Sequence, residues 1–245
     1  MNVTNDIAEP LASKKAFEVL YIDCRKKEQR VYSDEELMQL PMISASHPHY
    51  REWQLRKRSA TRLKNYLENK NKPLTVLEAG CGNGWLSAGL AEVKHAMITA
   101  TDINHAELEQ ARRVFQKINL DFMEGDLTEI NFKNNFDTIL FAASIQYFPS
   151  FEEIINMALS LLNEKGEIHI IDSHFYEQDE IENAKQRSRR YYESIGCEEM
   201  ADHYFFHSWN DIRSFNHELL YDPSSLKNKI LGTKNPFPWI CINQQ

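Results

Sequence analysis

The sequence predicts an α/β protein built on a doubly wound, mostly parallel seven-stranded sheet. Two observations carry this prediction. Strand-like and helix-like runs alternate through the middle of the 245-residue chain, which is typical of βαβ units. The same region lacks proline between Pro73 and Pro149, and it opens with four of the chain's eight glycines, from Gly80 to Gly89. A glycine cluster after a first strand is expected where a parallel sheet binds its ligand.

The strands are predicted from short runs rich in β-branched and apolar residues. Five such runs lie at 74–79, 96–102, 120–124, 136–143 and 166–172. The fourth, FDTILFAA, is nearly all apolar, as expected for a strand covered on both faces. Two more strands, at 215–221 and 238–243, complete the sheet. Helices are expected between the strands at 85–93, at 104–118 with Asn104 as N-cap, and from Ser150 through 162.

The flanking segments are more polar and read as helices. We expect residues 1–72 to form an N-terminal helical extension or lid, residues 73–245 the main domain, and residues 176–214 a substrate-lid insertion within it. The stretch 51–72 holds eight Lys or Arg against two Glu. It is either a nucleic-acid patch or a solvated helix face. Trp53, Leu55, Leu63 and Leu67 recur near helical spacing, which favours the helix face.

Composition excludes several classes of protein. A hydrophobic content of 42% supports a real core, and the net charge of −8 argues against a broad nucleic-acid surface. No uninterrupted apolar run is long enough to span a membrane, and the charged N-terminal region does not read as a signal peptide. Four scattered cysteines without a CxxC pair predict reduced thiols in the cytoplasm. The sequence predicts no metal site, no membrane partner and no particular oligomeric state.

The glycine loop, Glu78-Ala-Gly80-Cys-Gly82-Asn-Gly84, directly follows the first predicted strand. Glycines there permit positive φ and let a ligand approach the main chain. The helix that follows offers free N–H groups to a carboxylate or phosphate. The dinucleotide pattern G-x-G-x-x-G fails because Trp85 occupies its third glycine position, and no Gly-Lys-Ser/Thr triplet marks a P-loop. The remaining pattern is an acidic residue followed by G-x-G-x-G.

This pattern resembles motif I of the class I S-adenosylmethionine-dependent methyltransferases, a family with a Rossmann-like sheet. Asp102 ends the second strand 18 residues after Gly84, where that family binds the ribose hydroxyls. Asp126 follows the third strand, where the family's acidic residue meets the adenine amino group. The segment 136–144 resembles motif IV, and 161–166 resembles the turn before the fifth strand, with Lys165 replacing a glycine. The resemblance covers residues 74–174.

The resemblance implies that the cofactor is S-adenosyl-L-methionine. The residues it implies as cofactor-binding are Glu78, Gly80, Cys81, Gly82, Asn83, Gly84, Asp102, Ile103, Asp126, Leu127, Ala143 and Ser144. Structural roles stay open for three of them. Asp102 can be a helix cap, Asp126 a turn residue, and Glu78 an organiser of the loop's N–H groups.

The expected reaction is an in-line displacement that transfers a methyl group to a small-molecule acceptor. Alignment can supply most of the catalysis, so few catalytic residues are needed. His174 after the fifth strand, Tyr147 after the fourth, and His49 in the N-terminal segment are the candidates for catalysis. The alternatives are an RNA- or protein-directed methyltransferase, a NAD-type oxidoreductase, and a protein that binds the cofactor without catalysis.

Overall fold

Seven strands form a single sheet in the computed structural model. It describes residues 8–226, 228 and 235–244, and the side chains among them from residue 16 onward. The strands are β1 (Leu74–Ala79), β2 (Ala96–Asp102), β3 (Leu120–Glu124), β4 (Phe136–Ala142), β5 (Leu162–Ile171), β6 (His217–Tyr221) and β7 (Trp239–Asn243). Their order across the sheet is β3-β2-β1-β4-β5-β7-β6. All neighbours are parallel except β7, which is antiparallel to β5 and to β6. The predicted sheet is therefore confirmed.

Eight α-helices are described. They are α1 (Ala8–Lys27), α2 (Asp34–Gln39), α3 (Tyr50–Asn69), α4 (Trp85–Leu90), α5 (His105–Val114), α6 (Phe151–Ser160), α7 (Ile181–Ser194) and α8 (Trp209–Arg213). Short 3-10 turns lie at Ile145–Tyr147, Gln178–Glu180 and Glu198–His203. In the described ranges, none of the helices combines the length and apolar character that crossing a bilayer requires.

Helices cover the sheet on both faces, which is why its central strands are apolar throughout. In β4 the side chains of Ile139, Leu140 and Phe141 are completely buried. Leu140 packs in the core that contains α3 and α4, whereas its two neighbours pack in the core that contains α6 and α8. Successive side chains thus reach opposite layers, as strand geometry requires.

The chain reverses its direction of travel across the sheet between β1 and β4. From β1 it proceeds outward to β2 and β3, and it then returns to β4 on the other side of β1. In such a sheet the crevice at the carboxyl ends of these two strands is the expected ligand site. The N-terminal helices reach the same place. Trp53 of α3 packs edge-on against Trp85 at the start of α4, with ring centroids 5.1 Å apart.

Three predicted boundaries were wrong. Helix α4 ends at Leu90 rather than at residue 93, because the Asn119 side-chain amide donates to the Ala91 carbonyl at 2.8 Å and fixes the turn. Helix α5 ends at Val114 rather than near 118, and Ile118 is fully exposed instead of belonging to an apolar face. Strand β5 begins at Leu162 rather than at 166, where a helix end and a turn were expected. Leu162 already pairs with Phe136, and the register shifts before Glu167 pairs with Thr138.

The predicted regions 1–72 and 73–245 extend beyond what can be described. Residues 1–7, 227, 229–234 and 245 lie outside the described residues. Within the described part, Leu63 and Leu67 of α3 are buried in the same core as Val76 of β1. Helix α3, the last helix of the N-terminal region, thus packs against one face of the sheet.

Candidate functional site

The glycine loop is held tightly against the strands on both sides of it. The backbone N–H groups of Gly80 and Cys81 donate to the Thr101 carbonyl of β2 at 2.8 and 2.9 Å. The Ser144 hydroxyl, after β4, donates to the Ala79 carbonyl at 2.6 Å. Gly80 has φ of 72°, and a Cβ there would lie 2.6 Å from the Ser144 Cβ. Only glycine satisfies both the left-handed backbone and this close approach.

Asp102 fastens the loop to the end of β2. One carboxylate oxygen accepts from the Gly82 N–H at 2.7 Å, and the other accepts from the Asn104 N–H at 2.8 Å. Burial nevertheless raises the pKa of Asp102, because the backbone bonds only partly offset the loss of solvent. The N-cap of α5 is Asn104, whose side chain accepts from the Glu107 N–H at 3.1 Å. The helix-cap alternative for Asp102 is therefore wrong.

A cavity of about 400 Å³ opens at the carboxyl ends of β1, β2 and β4. Of the predicted cofactor residues, eight line it: Gly80, Gly82, Asp102, Ile103, Asp126, Leu127, Ala143 and Ser144. Much of the remaining lining is aromatic: Phe17, Tyr21, Phe148, His203 and Phe205. The sequence reasoning missed Phe17, Tyr21 and Phe148. Phe17 and Tyr21 are four residues apart on α1, which is the spacing of one helix face. That spacing was the one local signal available for them, and it does not say what the helix face contacts.

A smaller and more polar cavity of about 90 Å³ adjoins the first and shares Tyr21, Gly80, Gly82 and Ala143 with it. Glu78, Cys81 and Asn83 line this second space. Gly84 lines neither cavity and lies beside Phe122, where a Cβ would be 2.6 Å from the ring. Charged side chains of both signs surround the polar cavity: Arg25, Arg30, Glu52, Arg56, Glu78, Glu107 and Asp172.

Most of these charged groups already have partners. Arg25 is 2.9 Å from the Glu28 carboxylate, and the Arg56 Nε donates to Glu52 at 3.0 Å. Burial opposes ionisation of Glu52, but Arg30 and Arg56 still lower its pKa to about 2. Asp172 accepts from the Ser59 hydroxyl at 2.6 Å.

Glu78 at the end of β1 is buried and accepts a hydrogen bond from the Ser87 hydroxyl of α4. Burial raises the pKa of Glu78 to about 8, with a further contribution from the Asp102 charge, although the Ser87 bond opposes the shift. The carboxyl group therefore joins β1 to α4 while lining the polar cavity. Its predicted role as a loop organiser is compatible with this arrangement.

Asp126 occupies a turn and also lines the large cavity. One of its carboxylate oxygens accepts from the Thr128 N–H at 2.9 Å and from the Thr128 hydroxyl at 2.7 Å, as a turn residue does. The residue also lines the large cavity beside the buried Leu127. A position in the turn is thus what places Asp126 at the cavity.

The structure separates the three candidates for catalysis. Tyr147 lines the large cavity, its hydroxyl accepts from Arg25 at 3.3 Å, and burial raises its pKa. His174 is exposed, lines neither cavity, and its ring lies 4.6 Å from that of Phe237. His49 precedes α3, and its Nε2 is 2.8 Å from the Glu28 carbonyl. Only Tyr147 is positioned to contact a ligand in the cavity.

One cluster of potential metal ligands occurs among the described residues, away from the cleft. Atoms of Glu167, His169 and Cys241, on β5 and β7, lie within 4.8 Å of one another. The Glu167 carboxylate is already occupied by Lys70 at 2.8 Å and by the Tyr66 hydroxyl at 3.0 Å. His169 accepts from the Trp239 indole at 3.1 Å. These contacts account for the cluster as a hydrogen-bond network between strands and α3.

The geometry of loop, carboxylate and cavity agrees with one known family. The family described as "Methyltransferase domain" matches residues 70–228, which is 159 of the 245 residues. The chain belongs to this methyltransferase family. The match spans the glycine loop, Asp102, Asp126 and the loop after β4, and it confirms the resemblance on which those residues were singled out.

Curated relatives resemble this methyltransferase-family chain over part of their length. A malonyl-[acyl-carrier protein] O-methyltransferase of Priestia megaterium is 28% identical over 99 residues, covering 40% of this chain and 36% of that protein. A phthiotriol/phenolphthiotriol dimycocerosates methyltransferase of Mycobacterium leprae is 26% identical over 143 residues, covering 58% and 51%. The chain thus spans from about a third to about half of these relatives.

Solved structures share the whole fold. Magnesium protoporphyrin IX methyltransferase from Synechocystis, with bound SAM, superposes with a TM-score of 0.60 at 17% identity, covering 100% of both chains. The plantazolicin methyltransferase BpumL, in complex with a pentazolic analogue and SAH, gives 0.57 at 17% identity, covering 96% of this chain and 99% of that one. At this identity the likeness establishes the fold.

Proposed function

We propose that the protein is an S-adenosylmethionine-dependent methyltransferase acting on a small-molecule acceptor. The observation that carries this proposal is the path of the large cavity, which runs from the glycine loop past Asp102 to Asp126 and Leu127. The cofactor has three parts in the same order: an amino-acid part, a ribose and an adenine. The family match and the relatives named above support the same conclusion.

The residues fit each part of the cofactor. The Asp102 carboxylate accepts from the Gly82 and Asn104 N–H groups, one on each oxygen, and keeps acceptor capacity for the ribose hydroxyls. Ile103 and Leu127 offer apolar contacts to a flat base, and Asp126 lies beside them. The polar cavity offers guanidinium and carboxylate groups to the zwitterionic amino-acid part. Glycine at position 80 keeps the loop open to the ligand.

When bound, the cofactor supplies a methyl group on a sulfonium, which is a good leaving group. The protein's contribution is alignment, which accounts for up to roughly 7–11 kcal/mol of barrier lowering in well-oriented reactions. Phe17 and Tyr21 of α1 line the cavity, where their rings would shield a bound ligand from water. We propose that α1 and the end of the 176–214 insertion act together as the substrate lid.

The acceptor would enter along the aromatic wall. Phe17, Tyr147, Phe148, His203 and Phe205 give the cavity an aromatic lining. Such a wall favours an acceptor with apolar or planar surface next to the methylated atom. One relative is named as acting on malonyl-[acyl-carrier protein], so an acceptor carried on a small protein is the second form of this proposal.

The RNA-directed alternative loses support because five of the eight basic residues of 51–72 are engaged within the fold. Lys64, Lys70 and Lys72 form ion pairs with Glu92, Glu167 and Asp137. Arg56 pairs with Glu52, and Arg62 lies 4.0 Å above the ring of Tyr221. We also propose a cytoplasmic location, since all four cysteines are unbridged thiols.

Methyl-group tracing tests the proposal. The purified protein is incubated with methyl-labelled S-adenosylmethionine and, separately, with the small-molecule, RNA and protein fractions of a cell extract. We expect label in the small-molecule fraction, or on an acyl carrier protein for the carrier-borne form. If RNA were labelled, and less so at higher salt, the nucleic-acid alternative would replace the proposal. Saturable cofactor binding with no label in any fraction would favour a non-catalytic role, and no cofactor binding would refute the proposal altogether.

A further inference from the structure

Glu107 stands out in the cleft because one of its oxygens has no partner. The residue lies in the first turn of α5 and lines the polar cavity. Its Oε2 is buried and, among the described residues, accepts no hydrogen bond. The same oxygen would be 3.2 Å from a Cβ placed on Gly82, so it lies directly against the glycine loop. Leaving a buried acceptor unsatisfied is costly, more so when the group is charged, and such groups commonly serve a ligand.

The other carboxylates around the cavity do not share this property. Glu78 is bonded by Ser87, Asp102 by two backbone N–H groups, and Asp172 by Ser59. Glu52 is held by two arginines. Glu107 is thus the carboxylate lining this cavity that has a buried oxygen with no hydrogen bond among the described residues. The complementary group on a ligand is a compact cation with N–H donors.

Resting on the proposed function, we propose that Glu107 receives the α-ammonium group of the cofactor's amino-acid part. The cavity then serves both ends of a zwitterion, since Arg25 and Arg56 on the N-terminal helices can attract the carboxylate. This assigns Glu107 as a positioning residue that fixes the amino-acid part against Gly82. The adenosine part is held separately by Asp102 and by the residues beyond it.

The electrostatics of the free protein fit this assignment. Burial, and then the Asp102 charge, raise the pKa of Glu107 to about 7, while Arg25 and Arg56 oppose the shift. A bound ammonium group would favour the ionised form, so binding near pH 7 should release a proton from Glu107. Asp102, Arg25 and Arg56 influence the pKa of Glu107 through their charges. The charge of Glu107 in turn raises the pKa values of Tyr21 and Cys81.

Calorimetric titration with two ligands tests the proposal. S-adenosylhomocysteine carries the amino-acid part, and 5′-methylthioadenosine lacks it. We expect Glu107→Gln to weaken the binding of S-adenosylhomocysteine at least tenfold. Its affinity for methylthioadenosine should stay within twofold of the wild-type value. The matched control is Glu109→Gln, on the exposed face of α5, where the carboxylate pairs with Arg112. It should change neither affinity, and thermal melting verifies that each variant is folded.

The same titrations in two buffers of different ionisation enthalpy count released protons. Wild type should release more protons than Glu107→Gln at pH 7. Equal S-adenosylhomocysteine affinity in wild type and Glu107→Gln would overturn the ammonium assignment and leave the cofactor proposal standing. If wild type binds neither ligand, the proposed function itself fails. If Glu107→Gln weakens both ligands equally, Glu107 supports the loop only, and the assignment is likewise refuted.

Discussion

Replacing Asp102 by alanine removes the carboxylate that we assign to the ribose. Its two oxygens accept from the Gly82 and Asn104 N–H groups and keep acceptor capacity for the hydroxyls of a diol. Each charge-assisted hydrogen bond contributes about 1.5–3 kcal/mol. Burial raises the pKa of Asp102, so the ionised carboxylate carries a desolvation cost that offsets part of this gain. We therefore expect a net loss near that of a single bond, which is roughly ten- to a hundredfold in affinity.

The assay is calorimetric titration of S-adenosylhomocysteine into the free protein. Since Asp102→Ala also frees the Gly82 N–H, loosening of the loop must be separated from loss of ribose contacts. Asp102→Asn keeps one oxygen acceptor without the charge, and it should weaken binding by an intermediate factor. Asp121→Ala, on the exposed side of β3, is the control for general effects on the sheet edge. Affinity of Asp102→Ala within twofold of wild type would refute the ribose assignment.

The other predictions concern stability. Gly80→Ala should destabilise the fold by at least about 1–2 kcal/mol, because φ is 72° and the new Cβ meets Ser144. Gly89→Ala, inside α4 with open space around the residue, should instead stabilise the fold by up to about 1 kcal/mol. Denaturant titration measures both changes in unfolding free energy, and equal effects would contradict the reasoning. Glu78 has its pKa raised from 4.5 to about 8, so the folded state retains a proton that the unfolded chain loses, and stability should fall as pH rises between those values. In Glu78→Gln this fall should shrink, so its melting temperature relative to wild type should rise from pH 5 to pH 8. Glu167 behaves oppositely: its pKa is lowered from 4.5 to about 2, so Glu167→Gln should be destabilising at pH 7, and the effect should shrink as the pH falls from 4.5 and vanish only below about pH 2. An unchanged difference across that pH range would contradict the assigned ion pairing.

The sequence predicted the sheet and the place of the glycine loop well, because both depend on local signals. Strands with apolar runs and a glycine loop between a strand and a helix are encoded within ten to twenty consecutive residues. The apolar run of β4 predicted burial on both faces of the strand, as observed. At position 80 a side chain is excluded because Ser144 lies against the glycine. The contact with Ser144 is between residues 64 positions apart, so the pattern predicted a glycine without indicating its neighbour.

The acceptor half was less predictable because it depends on long-range packing. Phe17 and Tyr21 contact the site only because α1 folds back over the sheet. Their rings lie 6.3 and 5.7 Å from that of Tyr147, more than a hundred residues away. His174 was favoured by its position after the fifth strand, but its ring packs against Phe237 and the residue lines neither cavity. Such tertiary contacts decide whether the side chain of a loop residue faces the cavity. The local sequence pattern does not predict these contacts.

The charges of the cleft connect stability with binding. Glu78 and Glu107 have pKa values raised to about 8 and about 7, mainly by burial. In the free protein both groups favour the protonated form, so raising the pH toward 8 forces charge into a poorly solvated cleft and lowers stability. A cofactor that carries a sulfonium and an ammonium supplies the missing positive charge. Binding should therefore strengthen over the same pH range in which the free protein weakens. The thermal stabilisation given by a fixed cofactor concentration should increase from pH 6 to pH 8, and this increase should diminish in Glu107→Gln, since the replaced side chain no longer titrates.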